Sequence, residues 1–191
     1  MISALVLAAG LSRRMGWPKL LLQLGGQPVI RRTVEPLVGQ VADVVVVTGP
    51  SATAIHEALA GLSARFAVNP RPEDGQGTSI ATGVGALDPA TRAVLIVLGD
   101  QPALPPVVVP ALLAAFERTA KAIVAPVYRG FQGTPVLFAA EVFPELRALT
   151  GDRGARSVVI ARPERVERVE FDLPEPADVD TPEDYARLRV E

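Results

Sequence analysis

The 191-residue chain is 49% hydrophobic, enough for a sizeable buried core, and its length suits a single domain spanning 1–191. A formal net charge of -2 gives no broad attraction for nucleic acid or an anionic membrane, and the absence of cysteine excludes disulfides, thiolate zinc sites and cysteine nucleophiles, leaving oxygen ligands for any metal. No apolar run reaches the ~18 residues of a membrane span, and the short run 2–9 has no basic segment before it, so a cytoplasmic location is expected.

Apolar, β-branched runs at Ile2–Leu7, Val44–Thr48, Arg65–Val68, Ala93–Leu98, Ala122–Val127, Pro135–Phe138 and Arg165–Phe171 read as strands. Most are continuous rather than alternating, the pattern of a parallel sheet buried on both faces. Segments of helical character lie between them: Gln27–Val38, Ser51–Leu59, Ser79–Leu87, Pro106–Arg118, Glu141–Leu149 and Gly154–Ala161. Pro36 interrupts the first and Gly83 and Gly85 weaken the third. Strand-helix alternation predicts an α/β fold with helices on both sheet faces. Tyr128–Gly133 predicts a tight turn between two strands, and with it an antiparallel excursion in a mixed, mainly parallel sheet. After the acidic, proline-rich stretch 172–184, Thr181 is placed to cap a final helix that has Pro182 at its first position.

The chemistry concentrates after the first strand, in Leu7-Ala8-Ala9-Gly10-Leu11-Ser12-Arg13-Arg14-Met15-Gly16-Trp17-Pro18-Lys19. Small residues let a ligand approach the backbone, glycines allow amides to face a phosphate, and Arg14 and Lys19 can neutralise triphosphate oxygens. The spacing fits neither a Walker loop nor Gly-x-Gly-x-x-Gly, and an isolated glycine-rich segment can also be a plain surface turn. Asp100 follows the strand Ala93–Leu98, so it should emerge at the same sheet edge, either as a Mg²⁺ ligand or as a turn cap. Gly75-Gln76-Gly77-Thr78-Ser79 opens a helix, where Gly77 and Thr78 could meet a nucleotide or Thr78 and Ser79 could simply cap. The single histidine, His56, has a structural role on an amphipathic segment, and Trp17 either shields a ligand or packs.

The run Leu7 to Lys19 resembles the pattern Leu-Ala-Ala-Gly-x-Ser-x-Arg-Met-Gly-x-x-Lys of the molybdenum-cofactor nucleotidyltransferases. Gly75–Ser79, Gly99-Asp100-Gln101-Pro102, Gly133-x-Pro135-Val136, Gly151-Asp152-x-Gly154-Ala155-Arg156 and Asp178-Val179-Asp180-Thr181-Pro182-Glu183-Asp184 resemble further motifs of that family, in the same order. The resemblance implies a Rossmann-like three-layer α/β/α nucleotidyltransferase fold. Leu7, Ala8, Ala9, Gly10, Ser12, Arg14, Lys19, Gly77 and Thr78 would bind nucleotide, and Gly133, Thr134, Pro135 and Arg156 the acceptor. Arg14, Lys19 and Asp100 would carry catalysis, with Mg²⁺ on Asp100 and on Asp180, or on Asp178 in its place. Relatives often have His where this chain has Thr134, a departure bearing on the acceptor. Ala-Ala-Gly at 8–10 is similar to the cytidylyl branch, implying CTP, a molybdopterin-type phosphate acceptor, and a molybdoenzyme or maturation factor as partner. Guanylyl transfer, transfer to a sugar or polyol phosphate, and binding without catalysis are the alternatives.

Overall fold

Residues 1–12, 15–49 and 52–189 are described in a computed structural model of the chain. Its first strand, β1 (Ile2–Ala8), lies between two parallel neighbours, β4 (Asp43–Thr48) and β6 (Ala93–Leu98), which accounts for the unbroken apolar character of all three. The sheet runs β10-β7-β9-β6-β1-β4-β5, where β5 is Arg65–Val68, β7 Ile123–Tyr128, β9 Val136–Ala139 and β10 Val166–Phe171. Strand β9 is antiparallel to both β6 and β7, whereas β10 is parallel to β7. The reversal of β9 matters for the site: residues preceding it reach the edge where residues following β1 and β6 emerge.

Alternate residues of the strands feed two cores. Ala4, Val6 and Ala8 pack with α1 (Val29–Val34), α2 (Ala52–Ala58) and α4 (Val108–Thr119). Leu5 packs instead with α3 (Gln76–Gly85), α5 (Phe143–Arg147) and α6 (Arg156–Ala161), completing three α/β/α layers. Gly83 permits this packing, because a Cβ there would lie 2.3 Å from Leu5 Cδ1. The glycine that weakened the helix signal is what lets the helix approach the sheet.

Several boundaries differ from expectation for local reasons. In place of one helix over Gln27–Val38, the chain forms β3 (Gln27–Pro28), paired in a short hairpin with the preceding β2 (Gln23–Leu24), then α1 and a 3₁₀ turn Glu35–Leu37. Pro36 has no amide hydrogen to continue an α-helix. Helix α3 starts at Gln76, three residues before the expected start, and α6 at Arg156 rather than Gly154. The expected start at Ser51 lies outside the described residues. The turn after β7 is as predicted: Arg129 and Gly130, with φ of 46° and 89°, reverse the chain into β8 (Phe131–Gln132). The last helix, α7 (Pro182–Leu188), begins with a capping box between Thr181 and Asp184.

Candidate active site

Beyond the carboxyl ends of β1 and β6 lies an open cleft of about 520 Å³, lined among others by Leu7, Ala9, Gly10, Ser12, Lys19, Gln76, Asp100 and Asp180. This is the edge at which ligands bind in open α/β sheets. The loop after β1 turns on Ser12 (φ 48°), whose carbonyl accepts from the amides of Met15 and Gly16, each at 3.1 Å. Ser12 Oγ also accepts from the Lys19 amide at 3.3 Å, and the chain then enters a 3₁₀ turn, Lys19–Leu21, that aims Lys19 inward. Ala8 does not line this cleft; its side chain packs in the core on the opposite face of the sheet. Arg14 lies outside the described residues.

Asp100 is placed by a close crossing. The Gly99 amide donates to Leu7 O at 3.0 Å, and a Cβ at Gly99 would lie 2.7 Å from that oxygen. Only glycine lets the end of β6 pass so near the end of β1. Asp180 arrives from far along the sequence on the loop before α7, where buried Val179 donates its amide to Asp100 O at 3.0 Å. The Lys19 ammonium lies between the two acids, donating to Asp100 Oδ2 at 2.5 Å and to Asp180 Oδ1 at 2.7 Å. Burial acts to lower the proton affinity of Lys19, but Asp100 and then Asp180 outweigh it, so its pKa is raised. The Asp178 carboxyl is pushed up to about 6 by desolvation first and then by the negative charges of Asp100 and Asp180. The three aspartates thus sit close enough to feel one another's charge.

Two carboxylates converging on one cationic group suit a hard divalent ion that completes its shell with water and phosphate oxygens, as Mg²⁺ does. They do not form an all-protein cage: among the described residues, no group of three or more His, Cys, Asp or Glu side chains is arranged to hold a metal. Asp100 and Asp180 could hold such an ion beside Lys19, and Asp178 lines the same cleft.

Along the cleft wall, Gly75 (φ 96°) and Gln76 lead into α3, and the Gly77 amide donates to Gly151 O at 2.8 Å. A Cβ at Gly77 would meet the backbone of Thr150 at 2.8 Å, so this glycine serves the contact between α3 and the loop before α6. Thr78 Oγ1 donates to Gly75 O at 2.8 Å and accepts from Asn69 Nδ2 at 2.9 Å. Neither Gly77 nor Thr78 lines the cleft; Gly75, Gln76 and Ser79 do.

A second cavity of about 210 Å³ adjoins the first, sharing Leu7, Gln76 and Leu98 with it. Gly133, Thr134, Arg156 and Glu175 line it, whereas Pro135, joined to Thr134 by a cis bond, is buried away from it. A Cβ at Gly133 would fall 2.6 Å from Glu175 Oε1. Tyr128 donates its hydroxyl to Thr134 O at 2.8 Å, and burial pushes its phenol pKa up. Gln76, Gln101 and Glu175 were not singled out from sequence. Gln101 was at least visible within the Gly99–Pro102 motif, but Glu175 had no motif of its own.

A three-layer fold with a cation–carboxylate cluster at its strand ends, and two adjoining cavities there, defines a nucleotide-handling α/β protein. Residues 4–166 match the model of the MobA-like NTP transferase domain, and the chain belongs to this nucleotidyltransferase family. It is 32% identical to nicotine blue oxidoreductase of Paenarthrobacter nicotinovorans, over 98% of this chain and 96% of that protein. It is 29% identical to a probable molybdenum cofactor guanylyltransferase of Natronomonas pharaonis, over 98% and 96% of the two chains. The crystal structure of Rv0371c of Mycobacterium tuberculosis H37Rv in complex with manganese is also similar, with a TM-score of 0.86 at 28% identity, covering 100% of this chain and 98% of that one. A divalent metal is thus bound by a protein of this fold. No helix among the described residues is long and apolar enough to cross a membrane.

Proposed function

We propose that the chain is a single-domain, Mg²⁺-dependent cytidylyltransferase that joins CMP from CTP to the phosphate of a molybdopterin-type cofactor. The observation that carries this reading is the Lys19–Asp100–Asp180 cluster in a cleft that a second cavity adjoins. One cavity has room for a nucleotide, and the other presents Arg156 to an anionic acceptor. An acceptor phosphate oxygen attacks the α-phosphorus, a new P–O bond forms, and the bond to the departing pyrophosphate breaks. The attacking oxygen is already anionic, so no side chain has to remove a proton. That suits a site with no serine–histidine or cysteine–histidine pair.

Lys19 would bind triphosphate oxygens, and Arg14 is proposed to join it. Asp100 and Asp180 would hold Mg²⁺, which when bound neutralises the charge developing on the phosphates. The Ala-Ala-Gly run at 8–10, similar to the cytidylyl branch, supports CTP over GTP, and its Ala9 and Gly10 line the cleft. A molybdoenzyme or maturation factor would receive the product. The name of the Paenarthrobacter relative supports a second reading, redox turnover, against which the chain lacks a Gly-x-Gly-x-x-Gly fingerprint.

Pyrophosphate release from CTP and GTP with Mg²⁺, with and without molybdopterin, tests the proposal alongside Asp100→Asn. Cofactor-dependent release from CTP, lost in the variant, is expected. Release from GTP alone would transfer the reading to guanylyl transfer. Oxidation of NADH or NADPH without pyrophosphate release would replace it with the redox reading.

A further inference from the structure

One side chain touches both halves of the site without lining either cavity. Gln101 is 2% exposed, follows Asp100 directly, and lies where the acceptor turn 133–135 meets the acidic loop 176–180. Its Nε2 donates to Pro176 O at 3.4 Å. Its Oε1 accepts from Thr134 Oγ1 at 2.7 Å.

The donor inventory fixes the direction of this chain of bonds. The Pro176 carbonyl can only accept, so the amide must turn its NH₂ toward it. Its oxygen then faces Thr134, and the Thr134 hydroxyl must donate. That hydrogen is therefore used inside the protein and is not offered to an acceptor molecule. Because Oε1 is buried, losing the Thr134 hydroxyl would leave it without its partner and remove what holds the amide in this orientation. On the other side, the loop that the amide grips carries Asp178 and Asp180, and is already pinned to Asp100 through the Val179 amide.

We infer that Thr134 and Gln101 form a positioning pair: Thr134 orients the Gln101 amide, which holds the acidic loop so that Asp180 faces Asp100. The role of Asp180 in this inference rests on the metal reading given above, whereas the mechanical link from Thr134 to residues 176–180 stands without it. Thr134 thus acts on the carboxylates from the acceptor side. Any acceptor that displaces the 133–135 turn would be felt at the carboxylates, which couples the two cavities.

The test uses Thr134→Val, which removes the donor at nearly constant shape, Thr134→Ser, which keeps it, Gln101→Met, and the Thr134→Val/Gln101→Met double variant. Two readouts are taken on the full chain without nucleotide: amide hydrogen exchange over residues 176–180, and Mn²⁺ affinity by electron paramagnetic resonance. Thr134→Val is expected to speed exchange over 176–180 and to weaken Mn²⁺ binding about tenfold, the usual effect of losing a partner that orients a metal ligand. Thr134→Ser should stay near wild type, and the double variant should be no worse than Gln101→Met alone, since both changes break one chain of bonds. Unchanged exchange in Thr134→Val would overturn the link, as would effects that multiply in the double variant. A lower melting temperature with neither exchange nor Mn²⁺ affinity altered would reduce the pair to ordinary packing and overturn it too. If wild-type protein binds no Mn²⁺, the metal reading fails, and the exchange measurement still decides the link.

Discussion

Replacing Lys19 with methionine removes a positive group that bridges two carboxylates while keeping the length of the side chain. The side chains of Lys19, Asp100 and Asp180 are 13%, 20% and 29% exposed, so the cluster is largely withdrawn from water. Breaking a buried ion pair by deleting one partner costs about 3–5 kcal/mol, and the partial exposure of both acids places this site at the low end, about 3 kcal/mol. In a protein of this size, each kcal/mol lowers the melting temperature by about 2–4 °C, so the metal-free variant should melt about 6–12 °C below wild type. A divalent cation has a different effect in the two proteins. In wild type it must displace or share the ammonium; in the variant it meets two carboxylates that have lost that ammonium. Added Mn²⁺ should therefore raise the melting temperature of Lys19→Met more than that of wild type, while pyrophosphate release falls by at least about 10²-fold for want of a phosphate-binding charge. Thermal melts with excess Mn²⁺ and with a chelator check this. Equal stabilisation of both proteins by metal, or a chelated variant that melts with wild type, would refute the placement of Lys19 in the cation position.

Other changes address separate parts of the site. Asp100→Asn should keep the fold and lower kcat by about 10²-fold or more, with weaker Mn²⁺ binding in the same preparation. Arg156→Gln should raise the KM for the phosphorylated acceptor and leave kcat and the KM for CTP nearly unchanged, as for a group that binds ground and transition states alike. Gly75→Ala combines a φ of 96° with a Cβ only 2.4 Å from Gly151 C, so it should cost about 1–3 kcal/mol in chemical denaturation and raise the KM for CTP by moving Gln76. Away from the site, Arg165 grips Glu145 with bonds of 2.6 and 2.9 Å, and this hydrogen bonding, ahead of a smaller opposing effect of burial, holds the Glu145 pKa below its ordinary 4.5. A depressed carboxyl pKa stabilises above the unfolded value and is lost as pH falls through the folded one. The stability difference between wild type and Arg165→Met, at most about 1 kcal/mol for so exposed a pair, should hold at neutral pH and shrink below pH 4.5 in acid denaturation.

The strand runs were legible in the sequence because burial on both faces removes polar residues altogether, and the N-terminal loop because a glycine-rich, cationic run directly follows such a strand. The Thr181–Asp184 capping box was legible for the same reason: its partners are three residues apart. Asp100 could be assigned to an edge of the sheet, since a residue that follows a parallel strand can emerge only there. That Asp180 reaches Lys19 across 161 positions of chain is invisible in the sequence. Nor could it show that Gly77 packs against the loop at Thr150 and Gly151. The reversal of β9, which delivers Gly133 and Thr134 to the site, and the grip of Gln101 on two distant loops likewise exist only after the sheet has ordered its strands. Local periodicity and turn chemistry are written in adjacent residues, whereas the meeting of side chains from distant segments is set by strand order and by close backbone crossings such as that of Gly99 over Leu7.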